Sequence, residues 1–421
     1  MQRSSVKIDG NSFLDTLLFT SFNQKQMSLN DLSGQIRDKH GITISKQGLN
    51  DRFSEHSVAF MKGIMEKLLK EIVSNEPVMS FLKPFKRVRI KDSTAFQLPE
   101  DLSDSYAGSG GSGSKAMIRI QFEYDCKTGE ICDLSLHPFI SQDATDAEET
   151  KGSIKAGDLV IRDLGYVSIA MMKFINEKKA WFINRLNFNT KVFEKIGNGF
   201  KELDFVAVHQ NLDKHGLSMI EKEVYLGEKK STKVRIVIER LPEDKVAERL
   251  RKAKKEAHKK GRQLSNVYKS RVRLNIFVTN IPAEIIEARN IRQLYRIRWQ
   301  VELIFKVWKS VGEIDKVKKM KKERFETLLY AKLVWITLNW SVLWQIGKQI
   351  WDVHKIIISH IKAFKTLKDR IYKMWQAFTV GAKAVAVFIN EICEMSPTNH
   401  RLEKKNKKLS SLEIMLLFSQ G

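Results

Sequence analysis

The spacing of apolar residues along the chain changes from helix-like to strand-like and back to helix-like. This order of segments restricts the possible folds more than any other sequence feature. The first 80 residues carry apolar side chains at helical spacing. Strand-like runs separated by turns dominate from Pro84 to Pro282, and the pattern is helical again from Ala283 onward. Helices on both sides of a strand-rich block predict an α/β fold that contains a strand-rich insertion.

Two aspartates follow strand-like runs in this block. Residues 86–91 alternate as a strand and lead into Asp92, whereas the apolar run 159–161 leads into Asp163. Each aspartate is therefore expected at the C-terminal end of a strand, where a side chain can project from the sheet edge into a cleft. The pattern predicts that both carboxylates contribute to one site.

A third carboxylate, Glu302, lies in residues 294–309, which are predicted to form one helix. The spacing Y-x2-R-x3-E-x6-K puts Tyr295, Arg298, Glu302 and Lys309 on one stripe of that helix. The predicted apolar face is formed by Leu294, Ile297, Val301, Ile304, Phe305 and Trp308. One face would then pack, while the other offers a carboxylate between two cations.

The three carboxylates together predict a metal site. Carboxylates gathered in one place repel one another unless cations hold them, and Mg²⁺ prefers oxygen ligands and keeps waters for a phosphate substrate. Two such ions about 4 Å apart would clamp the attacking and leaving oxygens of a phosphoryl transfer.

The charge balance points to a polyanionic partner. The chain has 73 Lys and Arg against 49 Asp and Glu, a formal net charge of +24. Such an excess repels itself, and it favours nucleic acid as the partner ahead of an anionic membrane surface. Residues 245–262 form a basic stretch that is predicted to be helical, and its phosphate-binding candidates are Lys252, Lys254, Lys255, Lys259, Lys260 and Arg262. A solvated helical face is the alternative interpretation.

The N-terminal segment contains a candidate helix-turn-helix. Two short amphipathic stretches flank a turn at Lys39-His40-Gly41, in which Gly41 suits a helix C-cap. The polar residues from Thr43 to Arg52 are of the kind that a recognition helix offers. Plain helical packing would give the same pattern, so both interpretations stay open.

The sequence resembles the DDE transposases of the bacterial insertion-sequence-four family from Lys86 to Lys309. The resemblance rests on Asp92 within I-K-D-S-T, a Gly/Ser-rich loop after Tyr106, L-V-I-R-D-L-G-Y around Asp163, V-T-N-I-P at 278–282 and the Y-R-E-K signature. The two strand-end aspartates followed by the signature helix are the most diagnostic part.

The resemblance implies a ribonuclease-H-like catalytic domain with a strand-rich insertion between the second Asp and the Glu. The gap of 139 residues between Asp163 and Glu302, against 71 between Asp92 and Asp163, agrees with an insertion there. The implied organisation is an N-terminal helical DNA-binding domain (1–83), the first part of the catalytic core (84–180), the insertion (181–285), the second part of the core (286–370) and a C-terminal helical segment (371–421).

The resemblance also implies residue roles and partners. Asp92, Asp163 and Glu302 would hold two Mg²⁺ ions, for which Mn²⁺ would substitute. Tyr295, Arg298 and Lys309 would contact the phosphates of the transposon end. The substrate would be double-stranded DNA, namely terminal inverted repeats and a target, bound by a homodimer. Cut-and-paste movement in this family proceeds through nicking, hairpin formation, hairpin opening and strand transfer.

Hairpin formation requires an unpaired base to be sheltered, usually by an aromatic side chain. Trp299 matches an aromatic position of related enzymes, although packing would explain it equally well. The strand at 274–278 lacks the Trp that some relatives carry there.

Two alternative functions remain, and the carboxylates favour the first of them. A ribonuclease-H-like endonuclease would use the same carboxylates without strand transfer. A domesticated DNA-binding regulator would have no need of three clustered acids.

The remaining features favour a bacterial cytoplasmic, nucleoid-associated protein without a membrane anchor. The N-terminus lacks an apolar signal core, and polar residues interrupt the most hydrophobic stretch, 328–351, which is better explained as a buried helix. The three cysteines show no zinc-type spacing, and the nine histidines show no ligand spacing. No phosphate-loop motif is present.

Overall fold

The computed structural model describes residues 8–20, 28–71, 82–110, 114–127, 130–259 and 261–402. Four helices precede the first strand, and they are α1 (Gly10–Thr20), α2 (Leu29–His40), α3 (Lys46–Arg52) and α4 (Glu55–Glu71). Ser28 and Asp31 form a reciprocal capping box at the start of α2, and Gly41 ends that helix at φ 67°. The predicted helix C-cap at Gly41 is therefore confirmed.

Ten strands form the centre of the molecule. They are β1 (Val88–Gln97), β2 (Met117–Asp125), β3 (Ile131–Pro138), β4 (Leu159–Arg162), β5 (Trp181–Arg185), β6 (Val192–Ile196), β7 (Gly199–Glu202), β8 (Met219–Leu226), β9 (Thr232–Arg240) and β10 (Leu274–Thr279). All ten belong to one sheet with the order β3-β2-β1-β4-β5-β10-β9-β8-β6-β7. The β1–β4 and β4–β5 pairs are parallel, and the other pairs are antiparallel.

Eleven helices follow or interrupt the strands within the described ranges. They are α5 (Asp143–Thr150), α6 (Ile169–Glu177), α7 (Phe205–Lys214), α8 (Glu243–Lys259), α9 (Asn266–Val272), α10 (Ala288–Arg296), α11 (Trp299–Ser310), α12 (Lys322–His354), α13 (His360–Asp369), α14 (Ile371–Val380) and α15 (Ala382–Asn399). The α/β composition is as predicted. Strands β6 to β9 extend the central sheet, so the predicted insertion continues that sheet.

Two apolar clusters cover the sheet. The larger one joins Ile90 and Ile161 of the sheet to Val301 and Trp308 of α11, and it continues through Trp335 into the N- and C-terminal helices. The N-terminal helices pack on α12, where the Ser57 and Thr327 hydroxyl oxygens lie 2.8 Å apart in the interior. The smaller cluster lies on the opposite face under α6 and α7.

The long apolar stretch is the core of α12, as predicted, and most of its large side chains are buried. No helix in the described ranges combines the length and the hydropathy needed to cross a bilayer.

Three sequence-based predictions were wrong in detail. Residues 205–208 begin helix α7, not a strand, because Asp204 accepts a hydrogen bond from the Val206 N–H and residues 205, 208 and 212 are buried at helical spacing. His209 therefore lies in α7, and His215 lies at its C-terminal end. Asp92 is the fifth residue of β1, which continues five residues further because it pairs with β2 as far as Gln97.

The third correction concerns residues 294–309, which form two helices instead of one. The N–H groups of Ile297 and Arg298 bond to carbonyls three residues back, and this tightens the backbone between α10 and α11. The predicted apolar face is nevertheless buried. The sequence also predicts a turn at Lys127-Thr128-Gly129 and a basic tail from Arg401 to Lys408. Residues 111–113 of the Gly/Ser-rich loop, residues 128–129 of that turn and residues 403–408 of that tail lie outside the described residues.

Candidate active site

Asp92 and Asp163 lie side by side at the centre of the sheet. The parallel β1–β4 pairing ends with Lys91 opposite Arg162, and each aspartate is the next residue of its chain. Asp163 keeps an extended backbone, so side chains continue to alternate between the two faces. Both aspartates consequently share the face of Ile90 and Ile161, which is the face covered by α11. The end of the parallel pair, rather than the end of β1, brings them together.

Glu302 reaches the same place from α11. This helix is fixed on the sheet by aromatic contacts, in which the Phe122 ring of β2 lies 5.0 Å from Trp308 and 6.2 Å from Phe305. Glu302 is in the first turn, where the helix dipole favours a negative charge. Side chains from β1, the residue after β4 and α11 therefore converge.

One guanidinium connects the three carboxylates. Arg298 Nη1 donates to Asp92 Oδ2 at 2.8 Å, and Arg298 Nη2 donates to Glu302 Oε1 at 3.0 Å. Arg298 Nε lies 3.9 Å from Asp163 Oδ1. Arg298 is only 8% exposed, so these ion pairs form partly out of water.

The carboxylates also affect one another. Burial raises the pKa of Asp92 to about 6, with further upward contributions from Asp163 and Glu302. The Ser93 N–H, which donates to Asp92 Oδ1 at 2.8 Å, and the Arg298 charge oppose that rise. The site therefore concentrates negative charge that a cation would stabilise.

The donor set fits a divalent metal by its chemistry. Carboxylate oxygens are the ligands that Mg²⁺ takes, and three carboxylates converge here. Within the described ranges, however, no three His, Cys, Asp or Glu side chains approach closely enough to hold an ion as they stand. Arg298 occupies the position between Asp92 and Glu302 that an ion would need.

The other signature residues occupy different surroundings. Tyr295 is 5% exposed and packs against Phe277 at 5.4 Å, so it does not lie on an exposed stripe. Lys309 Nζ donates to the Ala95 carbonyl of β1 at 3.1 Å. Trp299 is 54% exposed, which agrees with a surface role better than with core packing.

A basic cleft lies where β5 and β10 meet α8 and α9, and its apolar lining residues Leu186, Leu274 and Ile276 belong to the smaller cluster, on the face opposite α11. Leu164, the residue after Asp163, also lines this cleft, which has a volume of about 730 Å³. Two aromatic rings in its wall, Phe188 and Tyr268, lie 5.1 Å apart. Its basic lining residues are Arg185, Arg249, Lys252, Lys255, Lys259 and Arg271.

Three of the predicted phosphate-binding residues line this cleft, namely Lys252, Lys255 and Lys259. Lys254 and Arg262 are exposed outside its lining, and Lys260 lies outside the described residues. Arg185 and Phe188 escaped prediction because they come from the start of the strand-rich segment, and only folding brings them to α8. The signal that could have found them is their position at the end of β5 and shortly after it, because β5 is the parallel neighbour of β4.

The opposite face of the same strands carries a buried ionic network that the sequence did not indicate. Glu123 of β2 accepts from Arg89 at 2.8 Å and from Arg162 at 3.1 Å, and all three side chains are almost fully buried. Lys91 forms ion pairs with Asp133 at 2.9 Å and with Asp146 at 2.5 Å. The Glu123 pairs join β1 and β4 through β2 directly before the two site aspartates, and the Lys91 pairs connect β1 to β3 and α5.

Comparison with known proteins identifies relatives over most of the chain. The family described as "Transposase DDE domain" matches residues 83–338. The chain is 32% identical over 417 residues to the transposase for insertion sequence element IS231E of Bacillus thuringiensis subsp. finitimus, covering 95% of this chain and 87% of that protein. It is 28% identical over 424 residues to the transposase for insertion sequence element IS1151 of Clostridium perfringens, covering 96% and 89%.

Proposed function

The chain belongs to the DDE transposase family, and from this premise we propose that it binds the terminal inverted repeats of an insertion sequence and moves that element by metal-dependent strand cleavage and strand transfer. The observation that carries the proposal is the convergence of Asp92, Asp163 and Glu302 on the guanidinium of Arg298. Its DNA substrate would place its activity at the bacterial nucleoid.

The fold supports separate functions for successive segments of the chain. The order β3-β2-β1-β4-β5, with β4 and β5 parallel to β1, supports a ribonuclease-H-like core formed by 84–180 and 286–370 together with β5, the first strand of the predicted insertion. The insertion, 181–285, would supply the basic wall of the cleft. The N-terminal segment, 1–83, would read the terminal repeat through α2 and α3, since Lys46 and Gln47 of α3 are exposed. The C-terminal helices would support pairing of two subunits.

The three carboxylates would hold two Mg²⁺ ions, which stabilise charge on the attacking and leaving oxygens of the phosphodiester when bound. The residues of the chain perform the other tasks. Asp92 is held by the pairing of β1 with β2, Asp163 directly follows the paired residues of β4, and Glu302 is held by the packing of α11. Arg298 and Lys309 supply positive charge to the phosphates of the transposon end.

The cleft supports a hairpin route. Arg271 lies 4.7 Å from the Phe188 ring centroid, so aromatic faces and cations alternate along the cleft wall. Aromatic faces stack on unpaired bases, and cations pair with the backbone. An extruded base of the transposon end would enter this cleft, while exposed Trp299 would contact the end nearer the carboxylates.

The cleft lysines provide a test of DNA binding. Changing Lys255 and Lys259 together to alanine is expected to lower the slope of log affinity against log salt by about 2, because each lysine releases about one counterion. Fluorescence anisotropy with duplex DNA at several salt concentrations measures this slope. Lys195 and Lys201 on β6 and β7 serve as the matched control, since they remove equal charge elsewhere. Equal slopes in both double variants would argue against binding in the cleft.

The reaction itself is tested by incubating the purified protein with Mg²⁺, a plasmid carrying the ends of its element and a separate target plasmid. We expect excised fragments, hairpin ends on denaturing gels and products joined to the target, and no products with excess EDTA. Cleaved ends without joined products would favour the endonuclease. DNA binding without cleavage would favour the regulator.

A further inference from the structure

The position of Arg298 between the carboxylates has a consequence for metal binding. We propose that Arg298 is an internal counter-cation, which competes with divalent ions for the carboxylates and must leave them before the ions bind. The inference rests on the proposed metal site. It assigns Arg298 a role in the protein without DNA, in addition to phosphate contact in the DNA complex.

The geometry supports competition for the same oxygens. The guanidinium donates to Asp92 at 2.8 Å and to Glu302 at 3.0 Å, and its third nitrogen lies 3.9 Å from Asp163. A divalent ion would use lone pairs of these same carboxylates. Arginine stays charged at every accessible pH, so proton loss cannot remove the competing cation.

The surroundings of the site allow exchange. The Asp163 and Glu302 side chains are 48% and 38% exposed, so ions in solution can reach them while Arg298 is in place. Arg298 directly precedes α11, in the tightened backbone segment between α10 and α11. Ion pairs with the carboxylates hold its side chain in place. The Trp299 ring, whose centroid is 5.9 Å from the guanidinium carbon, provides an adjacent exposed face on which a displaced guanidinium can stack.

Competition would couple metal loading to DNA binding. Without DNA, the carboxylates keep Arg298 as their cation, and divalent ions bind weakly. A phosphate at the site gives Arg298 a new anionic partner, to which a guanidinium binds in a bidentate manner. The carboxylates then become available for metal, so the metal site would be completed when a DNA end is present.

The test measures Mn²⁺ binding to the full-length protein without DNA, by calorimetry or by the electron paramagnetic resonance signal of free Mn²⁺. Arg298→Gln is expected to bind Mn²⁺ at least tenfold more tightly than the unaltered protein. Arg298→Lys keeps the charge but cannot contact three carboxylates at once, so it is expected to lie between them. Because the lysine variant keeps a counter-cation, it maintains the test if the glutamine variant fails to fold.

Arg289→Gln is the matched control, since it removes one positive charge from α10 where Arg289 is exposed and pairs with Glu287. Its Mn²⁺ affinity is expected to stay within about twofold of the unaltered protein. Unchanged or weaker binding by both Arg298 variants would overturn the inference. Failure of the metal site itself is recognised separately, because the double variant Asp163→Asn, Glu302→Gln would then bind Mn²⁺ as well as the unaltered protein.

Discussion

Replacing Asp163 with asparagine is expected to lower DNA strand cleavage by more than about 100-fold, because even groups that only orient metal ligands cost 10- to 100-fold when lost. DNA affinity should stay within about twofold, since phosphate contacts to basic residues supply most of it. The substitution preserves size and removes one charge from a half-exposed side chain, whose nearest cation is 3.9 Å away. Nicking of a plasmid that carries the element ends and anisotropy with the same DNA measure the two effects.

Asp213→Asn is the matched control for this substitution. Asp213 is a partly exposed aspartate of α7 that pairs with Arg240, away from the carboxylates, so its loss should leave both cleavage and binding unchanged. Full cleavage activity in Asp163→Asn would remove this residue from the catalytic site. A parallel loss of DNA binding would instead indicate that Asp163 supports the DNA-binding surface.

The sequence was sufficient to find the carboxylates because each follows a local pattern. An apolar strand ends just before Asp163, and an alternating strand includes Asp92, so strand register alone places them together. The apolar spacing around Glu302 likewise predicted which face of α11 packs. The sequence also predicted the strands that carry the site. The apolar start of α7 resembles a strand, and the role of Asp204 as a helix N-cap was not recognised from the sequence.

The ion pairs of the site and of the buried network could not be predicted, because they join residues that are far apart in the sequence. Arg298 meets Asp92 across 206 residues of chain, and the sequence suggested only a phosphate partner for it. Glu123 was overlooked for a related reason, since a charged residue in an alternating strand normally indicates a solvated face. Here that face is covered by α5 and by the ion pairs of Lys91. The alternating pattern therefore predicts the strand correctly, but it wrongly suggests that the charged side chains are exposed to solvent.

The two faces of the β1–β4 pair have opposite charge. Lys91 and Arg162 point to one face, where buried carboxylates neutralise them, whereas Asp92 and Asp163 point to the other. This alternation fixes the spacing of the site aspartates through backbone pairing and through ion pairs on the opposite side. The buried network is therefore expected to matter for stability first and for activity through the position of the strands.

Replacing Glu123 with glutamine is expected to destabilise the protein by about 3–5 kcal/mol, because it leaves Arg89 and Arg162 buried without their shared anion. Burial alone would raise the pKa of Glu123, but Arg162, Arg89 and Lys91 outweigh it and lower the pKa to about 2. A carboxyl with a lowered pKa in the folded state stabilises that state above its unfolded pKa, and this stabilisation is lost as the pH falls toward 2.

Urea unfolding at pH 7 measures the destabilisation, and a second series between pH 5 and 3 follows the loss with acid. The difference between the unaltered protein and Glu123→Gln should shrink as the pH falls, because protonated Glu123 resembles glutamine. Glu248→Gln is the matched control, since Glu248 also lies between two cations, Lys245 and Lys252, but on the surface of α8, where its loss should change stability little. Equal unfolding midpoints for the two variants would mean that the network does not stabilise the β1–β4 pair. A large loss confined to Glu123→Gln would show that the buried ion pairs behind β1 and β4 stabilise the part of the sheet that carries the site aspartates.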